Sequence, residues 1–256
     1  MLRRFRPKRP LVLFVHTHKC AGTAVIDLFR REGFTLVPGT EKLGAMPEYL
    51  SRLKDVTDPG ELDAKYGRRE VRRFLRETRS SGVNFVATEW VVPPALSAAT
   101  RRRGVFAFTV LRDPLTRYVS NYAFDVRSGY SSARDLWGFR DGLMYREHDY
   151  YTRLFSGKLV RDTRKTSDDD LDRALDVLER LDAICIQERP ETLVQLRAVG
   201  VDEKKLRRRN VTRSEEIQVP DDFRSEFIKH AWRDYILYER GLRIAVDAVA
   251  SARHLT

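Results

Sequence analysis

LVLFVHTHKCAGTA, residues 11–24, decides the fold. Leu11–Val15 is a short apolar run bounded by Pro10, the pattern of a fully buried strand. His16–Cys20 interrupt that run with polar residues, and Gly22-Thr23 open AVIDLFRREGF, whose Val25, Leu28 and Phe29 carry helical spacing. A helix that starts at a strand end presents free backbone N–H groups and a positive dipole end, so it can hold a phosphate or sulfate. Lys19 adds a full positive charge inside the same turn. The loop differs from the common cradles. A Walker A loop places its lysine after the second glycine, and a dinucleotide loop needs three glycines, whereas here Lys19 precedes the single Gly22. On the loop alone, an anion site and an ordinary strand–helix corner are both open readings.

The second informative stretch is GVFAFTVLRDPLTRYVSNYAFD, residues 104–125. Val105–Leu111 reads as another core strand, and Arg112 falls just past its carboxyl end. Asp113 is a capping residue and Pro114 suits the first helical position. Along the helix Leu115, Val119 and Tyr122 form a packing stripe, with Arg117, Ser120 and Asn121 off it. Ligands of open α/β sheets collect beyond the carboxyl ends of the strands, so Lys19 and Arg112 are expected to face one crevice.

THKCAGT followed by LRDPLTRYVSNY resembles the paired nucleotide signatures of PAPS-dependent sulfotransferases, in particular the carbohydrate branch of heparan sulfate O-sulfotransferases and galactose 3-O-sulfotransferases. The resemblance extends through DYYTRLFSG (149–157), ALDVLERLDAICIQERPETLVQLRAVGV (174–201), RRRNVT (207–212) and WRDYILYERG (232–241), in the family's order. It implies a P-loop-like sulfotransferase fold, α/β with a central, mostly parallel sheet flanked by helices, as one domain over 1–256. It also implies that Lys19, Cys20, Ala21, Gly22, Thr23 and Ala24 hold the 5′-phosphosulfate of PAPS. Arg112 and Ser120 then hold the 3′-phosphate, and Arg208 and Asn210 close over the nucleotide. Lys19 would stabilise the transferring group, with His18 assisting it or only shaping the loop. The reaction implied is transfer of the sulfuryl group to a hydroxyl acceptor, a carbohydrate or other small molecule, leaving PAP.

Such a transfer needs a base for the acceptor proton. Glu89, at the end of the strand in VNFVATEWVVPP, is the best candidate, against the alternative that it caps the next helix or pairs with an arginine. Relatives in the resembled family often carry a histidine there. His16 reads as a core residue, Arg117 as structural, and Glu188 and Arg189 as either an adenosine border or an ion pair. Trp90, Tyr130, Trp137 and Tyr145 are candidate walls of the acceptor cleft, or packing residues.

Composition is compatible with this reading. The 256 residues and 42% apolar content suffice for a substantial core. The net charge of +11 favours an acidic partner, although arginine runs on helix faces are commonly only solvated. Two cysteines make no disulfide framework, and no four ligands stand at metal spacing. No apolar run reaches the ~20 residues of a membrane span. The expectation is therefore a soluble chain: cytoplasmic if bacterial, or a Golgi-lumen catalytic domain trimmed of its anchor. Two rival functions remain in view, an ATP-dependent P-loop-like kinase and a basic nucleic-acid-binding protein using Arg101–Arg103 and KKLRRR (204–209). The first lacks the Gly-Lys-Ser/Thr and a clear second carboxylate. The second predicts steeply salt-dependent binding.

The expected element order is strand 11–16, helix 22–32, a short strand at 34–37, and a loop to about 66. A basic helix over 67–80, strand 83–88, a helical piece near 93–102 and the strand and helix of 105–127 follow. Residues 128–146 read as a substrate-side insertion, after a basic tail at 1–10. The chain then runs through helices 147–157 and 168–181, strand 183–187, helix 190–199, a basic loop 203–213 and terminal helices over 222–252.

Overall fold

The computed structural model describes residues 9–36, 67–88, 104–139, 149–158, 165–206 and 217–253. Four strands, β1 (Leu11–Val15), β2 (Phe85–Thr88), β3 (Val105–Leu111) and β4 (Ala183–Ile186), form one sheet in the order β2-β1-β3-β4. Every pairing is parallel. The near-continuous apolar strands follow from that architecture, because helices cover both faces of a parallel sheet and leave no side for polar residues. All five residues of β1 are buried, as are all four of β4.

Helix α1 (Gly22–Arg31) lies on one face. Its Phe29 meets Phe85 at 4.6 Å and Phe108 at 5.4 Å between ring centres, and Phe14 stacks on Phe108 at 4.7 Å. Helix α2 (Arg68–Ser80) precedes β2, and α3 (Pro114–Arg127) follows β3. A short helix α4 (Leu136–Phe139) comes next, then α5 (Tyr150–Ser156) and α6 (Asp168–Glu179). Two terminal helices, α7 (Asp221–His230) and α8 (Trp232–Arg253), complete the chain. On the opposite face α8 comes so close to the sheet that a Cβ on Gly241 would stand 2.6 Å from Leu111 Cδ1. A second apolar cluster joins α3, α4 and α7 through Tyr118, Phe139, Phe223 and Phe227.

Among the described residues, expected and observed elements agree in order, with two differences. Of the strand expected at 34–37, the described residues 34–36 contribute one bridge, Leu36 to Phe85, on the open edge of β2. The helix expected over 190–199 is wound as a 3₁₀ helix. There the Thr192 hydroxyl donates to the Arg189 carbonyl at 2.6 Å and accepts from Ile186 N–H at 2.8 Å, tying the turn to β4. Arg117, Ser120 and Asn121, off the Leu115–Val119–Tyr122 stripe of α3, are all buried as well. The helical piece near 93–102, much of the basic loop and the tail at 1–8 lie outside the described residues.

Candidate active site

Chain order and sheet order together create one special place. The chain leaves β1 for β2 on one side and returns to β3 on the other, so the connections diverge between the carboxyl ends of β1 and β3. Ligands of open α/β sheets bind at such a switch point. The Lys19 loop follows β1 and Arg112 follows β3.

The first loop is tightly held. Thr17, fully buried, donates its hydroxyl to the Val110 carbonyl of β3, and Cys20 N–H returns to the Thr17 carbonyl at 3.2 Å. Lys19 (φ 65°) and Ala21 (φ 57°) both take left-handed backbone, each at a cost of about 1–2 kcal/mol for a residue with a Cβ. Strain of this kind persists where surrounding contacts over-determine the loop. Ala21 is the N-cap of α1 and offers no side-chain cap. The first bond inside the helix runs from Val25 N–H to the Ala21 carbonyl, so the N–H groups of Gly22, Thr23 and Ala24 stand ahead of the ladder. The first turn contains no acidic residue to neutralise that positive end.

Gly22 is required there by contact rather than by backbone angle. A Cβ at this position would lie 1.9 Å from His16 Nε2. His16 is buried and packs against Phe14, which agrees with its reading as a core residue. Gly22→Ala should therefore destabilise the protein by about 1–3 kcal/mol, measured by urea unfolding. An unchanged midpoint would mean that the imidazole swings away freely.

The Lys19 ammonium lies 3.9 Å above the Phe124 ring of α3. Burial, then the charges of Arg127 and Arg112, push its pKa down to about 8, against the opposing pull of Asp125. His18 sits beside it, its ring edge-on to Phe124 at 6.2 Å.

The second turn reaches the first directly. Arg112 Nη1 donates to the Lys19 carbonyl at 3.4 Å. Its carboxylate neighbour is Glu188, at 3.8 Å from Nε, rather than Asp113 or Asp125. Asp113 instead caps α3, accepting Thr116 N–H at 2.8 Å, with Pro114 in the first turn. Glu188 Oε1 also accepts Asp113 N–H at 3.1 Å.

Helix α5 clamps both turns with two hydroxyls. Tyr150 accepts His18 N–H at 2.7 Å. Tyr151 accepts Arg112 N–H at 3.0 Å and donates to the Arg112 carbonyl at 2.7 Å. Its single proton being used, Tyr151 can meet Cys20 Sγ, at 3.4 Å, only as an acceptor, and the thiol also donates toward the His18 carbonyl at 3.6 Å. Burial holds the Cys20 thiol above its usual pKa, so it stays neutral. Asp234 of α8 anchors the start of α5 in turn. Its carboxyl accepts Tyr151 N–H at 2.9 Å, Thr152 N–H at 2.8 Å and the Thr152 hydroxyl at 3.0 Å.

Arg117, Ser120, Asn121 and Phe124 follow helical spacing on one face of α3. Arg117 stacks 4.0 Å over Tyr150, and Phe124 receives Lys19, so this face is turned toward the loop. Ser120 lies between those two contacts and is buried. Both amide atoms of buried Asn121, and Nε of Arg112, lack a hydrogen-bond partner among the described residues. Buried polar groups are ordinarily satisfied, so the orphaned Asn121 amide, on the face of α3 turned toward the loop, leaves a place for a polar ligand.

The two turns expected to converge thus do so: Lys19, Cys20, Ala21, Gly22, Thr23, Ala24 and Arg112 surround one switch point, with Ser120 on the helix behind. Glu89, Trp90, Tyr145, Arg208 and Asn210 lie outside the described residues. Trp137 packs edge-on against Phe223 in the second cluster, while Tyr130 is exposed near Phe124. Tyr150, Tyr151, Asn121 and Phe124 received no site role from the sequence. Only the adjacency of Asn121 to Ser120, and the paired tyrosines of 149–157, hinted at them. Among the described residues no group of side chains has the makings of a metal site, and no helix is long and apolar enough to cross a membrane.

No family model matches this chain, and no curated protein matches it. Among solved structures, the crystal structure of a sulfotransferase from Alicyclobacillus acidocaldarius is similar over 90% of this chain and 94% of that one, at 16% identity and a TM-score of 0.47. A likeness of that size leaves the function to be read from the site itself.

Proposed function

We propose that the protein is a sulfotransferase that moves the sulfuryl group of PAPS to a hydroxyl acceptor, a carbohydrate in the first instance. The carrying observation is the contact between the Arg112 guanidinium and the Lys19 loop at the switch point, in front of the uncapped N-terminus of α1. PAP and PAPS present two anionic ends, and this crevice offers two cationic turns. The N–H groups of Gly22, Thr23 and Ala24, together with Lys19, suit the 5′ end. Arg112 and Ser120 suit the 3′-phosphate, and Asn121 is near enough to Ser120 to share that task. Tyr150 and Tyr151 keep the two turns at a fixed separation, which is the positioning that in-line transfer requires.

In the reaction the acceptor oxygen attacks sulfur and the bond from sulfur to the bridging phosphate oxygen breaks. The acceptor proton passes to a base, and PAP departs. Lys19 neutralises charge that grows on the bridging oxygen. Glu89 is the proposed base; Glu89→Gln should leave PAP affinity nearly intact and remove transfer. A fully active variant would move the base to His16 or His18.

Calorimetry with PAP tests the reading. The expected result is micromolar binding, much weaker binding of ATP, and a loss of roughly 10–100-fold for Arg112→Ala, the worth of one charge-assisted contact. Tight ATP binding would favour a kinase. Tight, salt-sensitive RNA binding without PAP binding would favour a nucleic-acid protein.

A further inference from the structure

The outer face of α8 carries a pattern that the proposed chemistry does not use. Trp232, Ile236, Glu239, Arg243, Val246 and Ala250 alternate at spacings of four and three, so they form a single stripe along the helix. All six are exposed. Trp232, Ile236 and Val246 retain 40%, 40% and 48% of their surface, unusual for three large apolar residues on one helix. The inner face of the same helix is already committed: Asp234 caps α5, and Leu237, Gly241, Ala245 and Val249 are buried. Beside the stripe, Leu175 and Glu179 of α6 complete an open groove of about 440 Å³ with Ile236, Glu239, Arg240 and Arg243.

The charges of this face are placed oddly for a solvated helix. Arg240 pairs with Glu179 at 2.6 Å. Glu239 and Arg243 stand one turn apart, where an acid and a base commonly pair along a helix, yet neither has an ion-pair partner among the described residues.

We propose that α8 is the contact surface for a second copy of this chain, packed antiparallel about a two-fold axis level with Gly241. Residues equidistant from that axis then meet. Glu239 faces Arg243 of the second copy and Arg243 faces its Glu239, so two ion pairs form by symmetry. Ile236 meets Val246, and the large Trp232 meets the small Ala250, at both ends. A two-fold contact requires a self-complementary patch, and this stripe is self-complementary in charge at its centre, apolar on both sides of it, and matched large to small at its ends. An unrelated partner protein would place no such requirement on it. Helix α8 has 22 residues and is about 33 Å long, so the contact area falls at the low end of specific interfaces and the dimer dissociates reversibly.

Sedimentation velocity over a concentration series tests this directly. The wild-type chain is expected to pass from monomer to dimer. Glu239→Arg places like charges opposite Arg243, and Arg243→Glu does the same opposite Glu239. Each is expected to raise the dissociation constant at least roughly tenfold. An equimolar mixture of the two variants restores opposite charges at both pairs, so heterodimers should form where neither variant associates alone. Matching thermal melts establish that both exposed substitutions leave the fold intact, and Ile236→Ser supplies an uncharged disruption of the same face. A wild-type chain that stays monomeric at the highest attainable concentration overturns the proposal. So does a dimer indifferent to both charge reversals.

Discussion

Lys19→Ala should lower turnover by about 10²–10³-fold while PAP affinity falls less than about tenfold. The asymmetry follows from where the amine sits. The free N–H groups of the α1 N-terminus and the Arg112 turn remain to hold the nucleotide when the side chain is removed. Charge on the bridging oxygen develops only in the transition state, and the Lys19 ammonium is the group poised to meet it. The same lysine carries a pH signature. Its pKa is pushed down to about 8, chiefly by burial, so the charge present below that pH is lost as pH rises through it. kcat/KM for the donor should fall above about pH 8, and Lys19→Arg, which keeps its charge, should flatten that limb. Equal losses of turnover and PAP affinity would reduce Lys19 to an anchor.

Asp234→Ala should cost on the order of 3 kcal/mol at pH 5, because three donors at the start of α5 lose their acceptor inside the core. The damage should spread to the site. Tyr150 and Tyr151, which that helix start aligns, hold His18 and Arg112 by their hydroxyls, so PAP affinity should fall as well. The dependence on pH has a definite sign. Burial first, then the neighbouring Asp149, push Asp234 up to about 7, with Arg117 and the Tyr151 and Thr152 donors pulling the other way. Burial likewise raises Asp149, which is held by Arg233 and the Thr166 hydroxyl. A carboxyl whose folded pKa exceeds its unfolded value contributes stability that is full below the unfolded pKa and lost as pH rises through the folded one. The penalty of Asp234→Ala should therefore shrink between pH 5 and pH 8 in urea unfolding. A penalty that grows with pH would show that the ionised form, satisfied by its three donors, is the stabilising one.

What could be read from the chain alone divides along physical lines. β1, β3 and β4 announce themselves because parallel strands buried on both faces need unbroken apolar runs, and Asp113-Pro114 marks a helix start by local capping chemistry. The Lys19 turn and Arg112 were legible because each is written in a short contiguous motif. Their meeting is a consequence of sheet order, which no local pattern contains. The tyrosine clamp was illegible for the same reason: Tyr150 touches His18 from 132 residues away, and an aromatic pair on a helix reads as core. Arg117 and Asn121 read as off the packing stripe, yet are buried, because α3 is enclosed on two sides by the second apolar cluster and by α5.

The most direct test of the central claim is a crystal structure of the protein with PAP. The account predicts the 5′-phosphate against the N–H groups of Gly22, Thr23 and Ala24 beside Lys19, with the 3′-phosphate on Arg112 and Ser120. PAP bound away from the crevice between β1 and β3, or seated with its two phosphates exchanged, would contradict it.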